Sequence, residues 1–138
     1  MDSASTPLAV LVVEDEADLL TTYRRLLGRD GFRVVTVSTR EAGLQALAKE
    51  RFAAVIIDVR LPDGDGLDVV RRVGETAAPP PAIVVTGFAS KHVRAAALAA
   101  GAAAFFAKPF EVLALASCVR GLARSDAPLD ASAPPTAS

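Results

Sequence analysis

Five short apolar runs, each followed by a stretch with helical spacing, constrain this chain more than any other feature. The runs fall at residues 8–13, 32–37, 53–57, 82–85 and 103–107. The first and third are continuous stretches of Val, Leu, Ile and Ala, the pattern of strands buried on both faces. The first helix is predicted from Leu19, Leu20, Tyr23, Leu26 and Leu27, spaced by three and four with Arg24, Arg25 and Arg29 between them, up to Gly31. Ser38-Thr39-Arg40-Glu41 has the Ser-x-x-Glu form of a capping box and predicts a second helix through Lys49. Pro62-Asp63-Gly64-Asp65-Gly66 predicts a turn, followed by a third helix through Val69, Val70 and Val73. Three consecutive prolines make residues 76–81 a loop. Ser90 caps a fourth helix that Gly101 closes, and a fifth spans residues 110–124 with Val112, Leu115, Val119 and Leu122 inward. Strands alternating with helices imply an α/β fold, a doubly wound five-stranded parallel sheet with five helices, because parallel neighbours need crossover connections.

At 138 residues the chain suits one domain. The expected division is an N-terminal extension at 1–7, the domain at 8–124, and a disordered tail or linker stub at 125–138, where Leu129 is the one large apolar side chain. Such a tail is too short for an effector domain, so output is expected through a protein contact, a phosphate relay or a domain not included in this sequence. A hydrophobic fraction of 51 % with a net charge of -1 excludes wholesale disorder and argues against direct nucleic-acid binding, which calls for a basic excess. Cys118 is the only cysteine, which rules out an intrachain disulfide and a zinc cluster. Without a membrane-length apolar run or a signal peptide, the expected setting is cytoplasmic, with no membrane partner.

Polar residues collect where four of the strands end: Glu14 and Asp15, Asp58, Thr86, and Lys108. In an open parallel sheet these ends share one edge, and ligands bind there where strand order reverses. Each residue alone has a plain structural explanation: Glu14 and Asp15 favour a helix start, Asp58 caps a turn, Thr86 is a common strand residue, and Lys108 precedes a proline. Complementary groups at all four ends carry more weight.

The segments Leu11-Val12-Val13-Glu14-Asp15-Glu16, Val55-Ile56-Ile57-Asp58-Val59-Arg60-Leu61-Pro62, Val84-Val85-Thr86-Gly87 and Phe105-Phe106-Ala107-Lys108-Pro109-Phe110 closely resemble the receiver domain of two-component response regulators. The resemblance covers residues 8–124. It implies a flavodoxin-like strand order 2-1-3-4-5, a cis Lys108-Pro109 peptide and the single-domain, chemotaxis-regulator-like form of the family. It further implies that Asp58 accepts a phosphoryl group. Asp15, Asp58 and the Arg60 carbonyl would ligate Mg²⁺, with Glu14 acting through water. Thr86 and Lys108 would contact the phosphoryl oxygens, and Thr86 and Phe105 would form the switch. The implied partners are a sensor histidine kinase or histidine phosphotransfer protein and a downstream protein target, with a homodimer left open.

Residue chemistry agrees with these roles. A carboxylate with a reference pKa of about 3.9 is ionised at neutral pH and can attack phosphorus. Crowded carboxylates need a cation, and an all-oxygen site suits Mg²⁺. Phosphoryl transfer is mostly positioning and charge neutralisation. The chain would catalyse only its own aspartyl phosphorylation and dephosphorylation. A metal-dependent aspartyl phosphatase also uses an Asp at a strand end, but by resemblance it carries a second Asp where Arg60 stands. The remaining rival is a degenerate receiver acting as a non-phosphorylated interaction scaffold. Residues 63–68 do not complete a calcium loop, because Leu67 and Asp68 stand where an oxygen ligand and the turn glycine belong. His92 reads as a solvated face residue and Cys118 as a small packing residue.

Overall fold

The computed structural model describes residues 7–124, so the tail and all but Pro7 of the extension lie outside the described residues. The chain runs β1 (Ala9–Val13), α1 (Ala17–Arg29), β2 (Arg33–Val37), α2 (Arg40–Lys49), β3 (Ala54–Asp58), β4 (Arg60–Leu61), β5 (Gly64–Asp65), α3 (Leu67–Gly74), β6 (Ala82–Thr86), α4 (Lys91–Ala100), β7 (Ala104–Ala107) and α5 (Val112–Arg124). Five strands form one parallel sheet in the order β2-β1-β3-β6-β7. This is the expected 2-1-3-4-5 once the two-residue strands β4 and β5, which pair only with each other, are set aside.

Strand residues alternate between two cores. Leu11, Val13, Val55, Ile57 and Val84 face a layer containing Val69, Val70, Val73 and Ala97 of α3 and α4. Val10, Val12, Ala54, Ile56, Ile83 and Val85 face Tyr23 and Leu27 of α1 and Leu115 and Val119 of α5. Both faces of β1, β3 and β6 are therefore dry, which explains their unbroken apolar runs. Each fully buried Val, Leu or Ile side chain contributes about 1.5–3 kcal/mol relative to exposure.

Helix starts differ in detail from the predicted ones. Thr39, not Ser38, caps α2: its extended backbone lets the hydroxyl accept from the Ala42 N–H at 3.1 Å. Glu41 consequently sits one position too early to close a capping box. The fifth helix starts at Val112, after Phe110 has packed edge-on against Phe106 at 5.9 Å. Val112 and Leu122 are only half-buried, and Ala116 and Ala123 join Leu115 and Val119 on the inner face. Ser90 caps α4 through the Val93 N–H, and Gly101 closes it with φ 110°, as expected. From β1 the chain crosses to β2 on one side and returns to β3 on the other. The loops after β1 and β3 thus part and leave a crevice at their carboxyl ends.

Candidate functional site

The crevice is built from the residues that end the strands. Glu14 follows β1, and its N–H extends the ladder to the Val37 carbonyl at 3.0 Å, which forces its side chain inside. It is fully buried. Asp58 is the last residue of β3, with its side chain only 6 % exposed. Asp58 Oδ1 accepts from the Arg60 N–H at 3.1 Å, and Oδ2 accepts from Lys108 Nζ at 2.9 Å. Asp15 is exposed, and no hydrogen bond to its side chain is found among the described residues. One oxygen each from Glu14, Asp15 and Asp58 lie within 4.8 Å of one another.

Lys108 reaches this cluster because its N–H bonds the Thr86 carbonyl at 2.8 Å, just before the cis Lys108-Pro109 peptide. Its ammonium also donates to Glu14 Oε2 at 3.3 Å and Glu16 Oε1 at 2.8 Å. Burial alone would lower the Lys108 pKa, but the hydrogen bonds to Glu16 and Asp58 and the charges of Asp58 and Glu14 outweigh it, and the net shift is upward. Burial pushes the Glu14 carboxyl up to about 7, with the Asp58 charge adding and the Glu16 N–H and Lys108 opposing.

Two buried polar atoms lack a hydrogen-bond partner among the described residues, Glu14 Oε1 and Tyr23 Oη. Burial first, then the charges of Glu14, Asp58 and Glu16, raise the Tyr23 pKa. Glu14 Oε1 nonetheless lies 3.3 Å from the Lys108 ammonium, an ion pair without hydrogen-bond geometry, and the carboxylates of Glu14, Asp15 and Asp58 outnumber that one cation. The all-oxygen character of this set fits a hard divalent ion such as Mg²⁺.

Thr86 ends β6, fully buried, and its Oγ1 accepts from the Phe88 N–H at 3.0 Å. Because Val84 pairs with Phe105 across β6 and β7, Thr86 and Phe105 are diagonal neighbours on one sheet face. Phe105 packs half-buried against the α4-side core, with the Arg94 guanidinium 5.2 Å from its ring centroid. The Arg60 guanidinium carbon stacks 3.9 Å from the centroid of the Phe88 ring, whose side chain is largely exposed. Gly66 closes the wall, since a Cβ there would fall 1.9 Å from the Asp58 carbonyl oxygen. His92 is exposed, and burial raises the half-buried Cys118 thiol pKa, consistent with a packing role. A cavity of about 310 Å³ over Phe52 lies at the opposite sheet edge and contains none of these groups.

Glu14, Asp15, Asp58 and Lys108 thus converge, with Thr86 at the adjoining strand end. Sequence reasoning gave no role to Glu16 or Tyr23. Glu16 sits two residues beyond Glu14, a spacing that could have placed it beside the same ammonium.

A doubly wound parallel sheet with an acidic crevice where its strand order reverses, and a lysine ammonium reaching into that crevice, defines the flavodoxin-like class of α/β folds. The sequence profile described as the response regulator receiver domain matches residues 10–120, and the chain belongs to that family. It is 35 % identical over 124 residues to the response regulator MprA of Mycolicibacterium vanbaalenii, covering 90 % of this chain and 54 % of that protein. The chain spans about half the length of the curated relatives it matches. A CheY-like receiver domain protein from Methanospirillum hungatei superposes with TM-score 0.81 at 26 % identity, covering 86 % of this chain and 94 % of that one. The receiver domain of sensor histidine kinase PA1611 from Pseudomonas aeruginosa, solved with a magnesium ion in its active-site cleft, gives TM-score 0.75 at 28 % identity over 86 % of this chain and 98 % of that one.

Proposed function

We propose that this chain is a phosphorylation-dependent switch that takes a phosphoryl group onto Asp58 from a histidine kinase or phosphotransfer protein in the cytoplasm. The observation that carries the reading is the joint approach of Glu14, Asp15 and Asp58 with Lys108 at a buried strand end. Asp15, Asp58 and the Arg60 carbonyl would hold Mg²⁺, with Glu14 acting through water. The bound ion would supply positive charge to the transferring phosphoryl group.

Asp58 is oriented for attack by the Arg60 N–H on Oδ1 and by Lys108 on Oδ2. A carboxylate oxygen forms the new bond to phosphorus while the bond to the donor's leaving atom breaks, and the donor keeps that electron pair. Lys108 is held protonated by its carboxylate neighbours and neutralises charge on the equatorial oxygens. The Thr86 oxygen already accepts from Phe88, which leaves its O–H proton to donate to a phosphoryl oxygen. Drawing Thr86 toward Asp58 frees space beside Phe105, its diagonal neighbour, and rotation of that ring would alter the α4 and β7 surface offered to a downstream target. As in the sequence reading, the chain catalyses only its own modification.

Incubation with Mg²⁺ and acetyl phosphate, followed by intact-mass measurement, tests this reading. The wild type gains one phosphoryl group and D58N gains none. A folded wild type that stays unmodified would instead support the scaffold reading.

A further inference from the structure

The segment that follows Asp58 is fastened at its tip to a different helix. The Asp63 carboxylate, in the turn between β4 and β5, accepts from two α2 backbone amides, Arg40 N–H at 2.6 Å and Glu41 N–H at 2.9 Å. Those amides belong to the first turn of α2, where no intrahelical acceptor exists, while Thr39 serves the next one at Ala42. The bonds from Glu41 and Arg40 hold the Asp63 carboxyl below its ordinary range. The Arg40 side chain then crosses to α3, with Nε on Asp68 at 2.8 Å, and Asp68 also takes Arg71 at 2.9 Å. At the base of the same hairpin the Gly66 N–H bonds the Val59 carbonyl at 2.7 Å, beside the Arg60 N–H that orients Asp58.

We propose that Asp63 is a positioning residue, a clasp from the β4–β5 turn to α2 that holds the Asp58–Arg60 backbone in place to receive the divalent cation. The inference rests on the metal reading above for what the backbone receives. The clasp itself rests only on hydrogen bonds within the chain. An unclasped hairpin would have to be ordered each time the ion binds, and that cost would appear as weaker affinity.

Mg²⁺ affinity is read from the midpoint of thermal stabilisation against Mg²⁺ concentration, in about 0.5 M KCl to screen the lost surface charge. Wild type, D63A, D63N and T39A are compared. T39A removes the other cap of the same helix start without touching the hairpin, so it reports generic loosening of α2. The expected result is about tenfold weaker binding in D63A, an intermediate value in D63N, which keeps one acceptor, and wild-type affinity in T39A. Exchange of the Gly66 amide hydrogen, followed by NMR without metal, is expected to speed up in D63A alone. Equal weakening in D63A and T39A, or wild-type affinity and exchange in D63A, overturns the clasp. A wild type with no Mg²⁺ response, with Gly66 exchange faster in D63A alone, sinks the metal reading and leaves the clasp standing.

Discussion

Replacing Lys108 with Met keeps most of the side chain's bulk and removes the cation that Glu14, Glu16 and Asp58 share, so the loss of stability measures how that charge was used. Glu16 is 58 % exposed, and its contact with Lys108 is worth under about 1 kcal/mol. Glu14 and Asp58 are buried, and stripping the partner from a buried charge costs roughly 3–5 kcal/mol. Glu14 has an escape, because its carboxyl already stands at about 7 and rises further without the ammonium. The sign follows from linkage. The folded Glu14 pKa lies above its unfolded value, so metal-free stability falls as pH rises from about 4.5 to about 7, and in the variant that fall extends to higher pH. The raised Lys108 pKa gives the wild type a contribution fully present below its unfolded value of 10.5 and lost only as pH passes the higher folded one. At about pH 6 the variant therefore protonates Glu14 and loses mainly the Asp58 share, about 3 kcal/mol at the low end of that range. At about pH 8.5 the loss approaches about 4 kcal/mol. Urea unfolding in EDTA, followed by circular dichroism, gives both numbers. A gap that does not widen with pH, or one under about 1 kcal/mol at the higher pH, refutes the reasoning. Saturating Mg²⁺ should narrow it, since the ion brings positive charge to the same carboxylates.

Asp15 is exposed and held by no hydrogen bond among the described residues, so D15A should leave the fold intact, raise metal-free stability slightly by relieving repulsion, and abolish the Mg²⁺-induced rise in melting temperature; an unchanged Mg²⁺ response would sink the metal assignment. G66A should displace the end of β3, because its Cβ would sit 1.9 Å from the Asp58 carbonyl oxygen. A loss of about 2 kcal/mol or more in urea unfolding, with slower phosphorylation, is expected. The Arg60–Phe88 stack joins the residues two past Asp58 and two past Thr86, and the double substitution R60A/F88A should speed dephosphorylation roughly tenfold if the stack accounts for about 1.4 kcal/mol of barrier by excluding water. An unchanged decay of phosphorylated mass after donor removal would show that the stack does not shield the bond.

What the sequence disclosed and what it concealed divide along one physical line. Local periodicity carried the sheet, because strands buried on both faces must read as unbroken apolar runs, and the polar residues that stop those runs at Glu14, Asp58, Thr86 and Lys108 necessarily share an edge. Contacts made between loops leave no periodic trace. Glu16 meets Lys108, which lies 92 residues further along the chain, and shares it with Asp58. Asp63 caps a helix that begins 23 residues before it. Arg60 and Phe88 leave different strands and meet only because β3 and β6 are neighbours. The same distinction explains the misread cap at α2. The Ser38–Glu41 spacing fits a capping box considered alone, but Asp63 already satisfies the Arg40 and Glu41 amides from across the fold, and Thr39 is then the residue placed to serve Ala42. A helix start that takes one cap from its own strand exit and another from a distant hairpin couples the two. In this chain that coupling joins α2 to the backbone that presents Asp58.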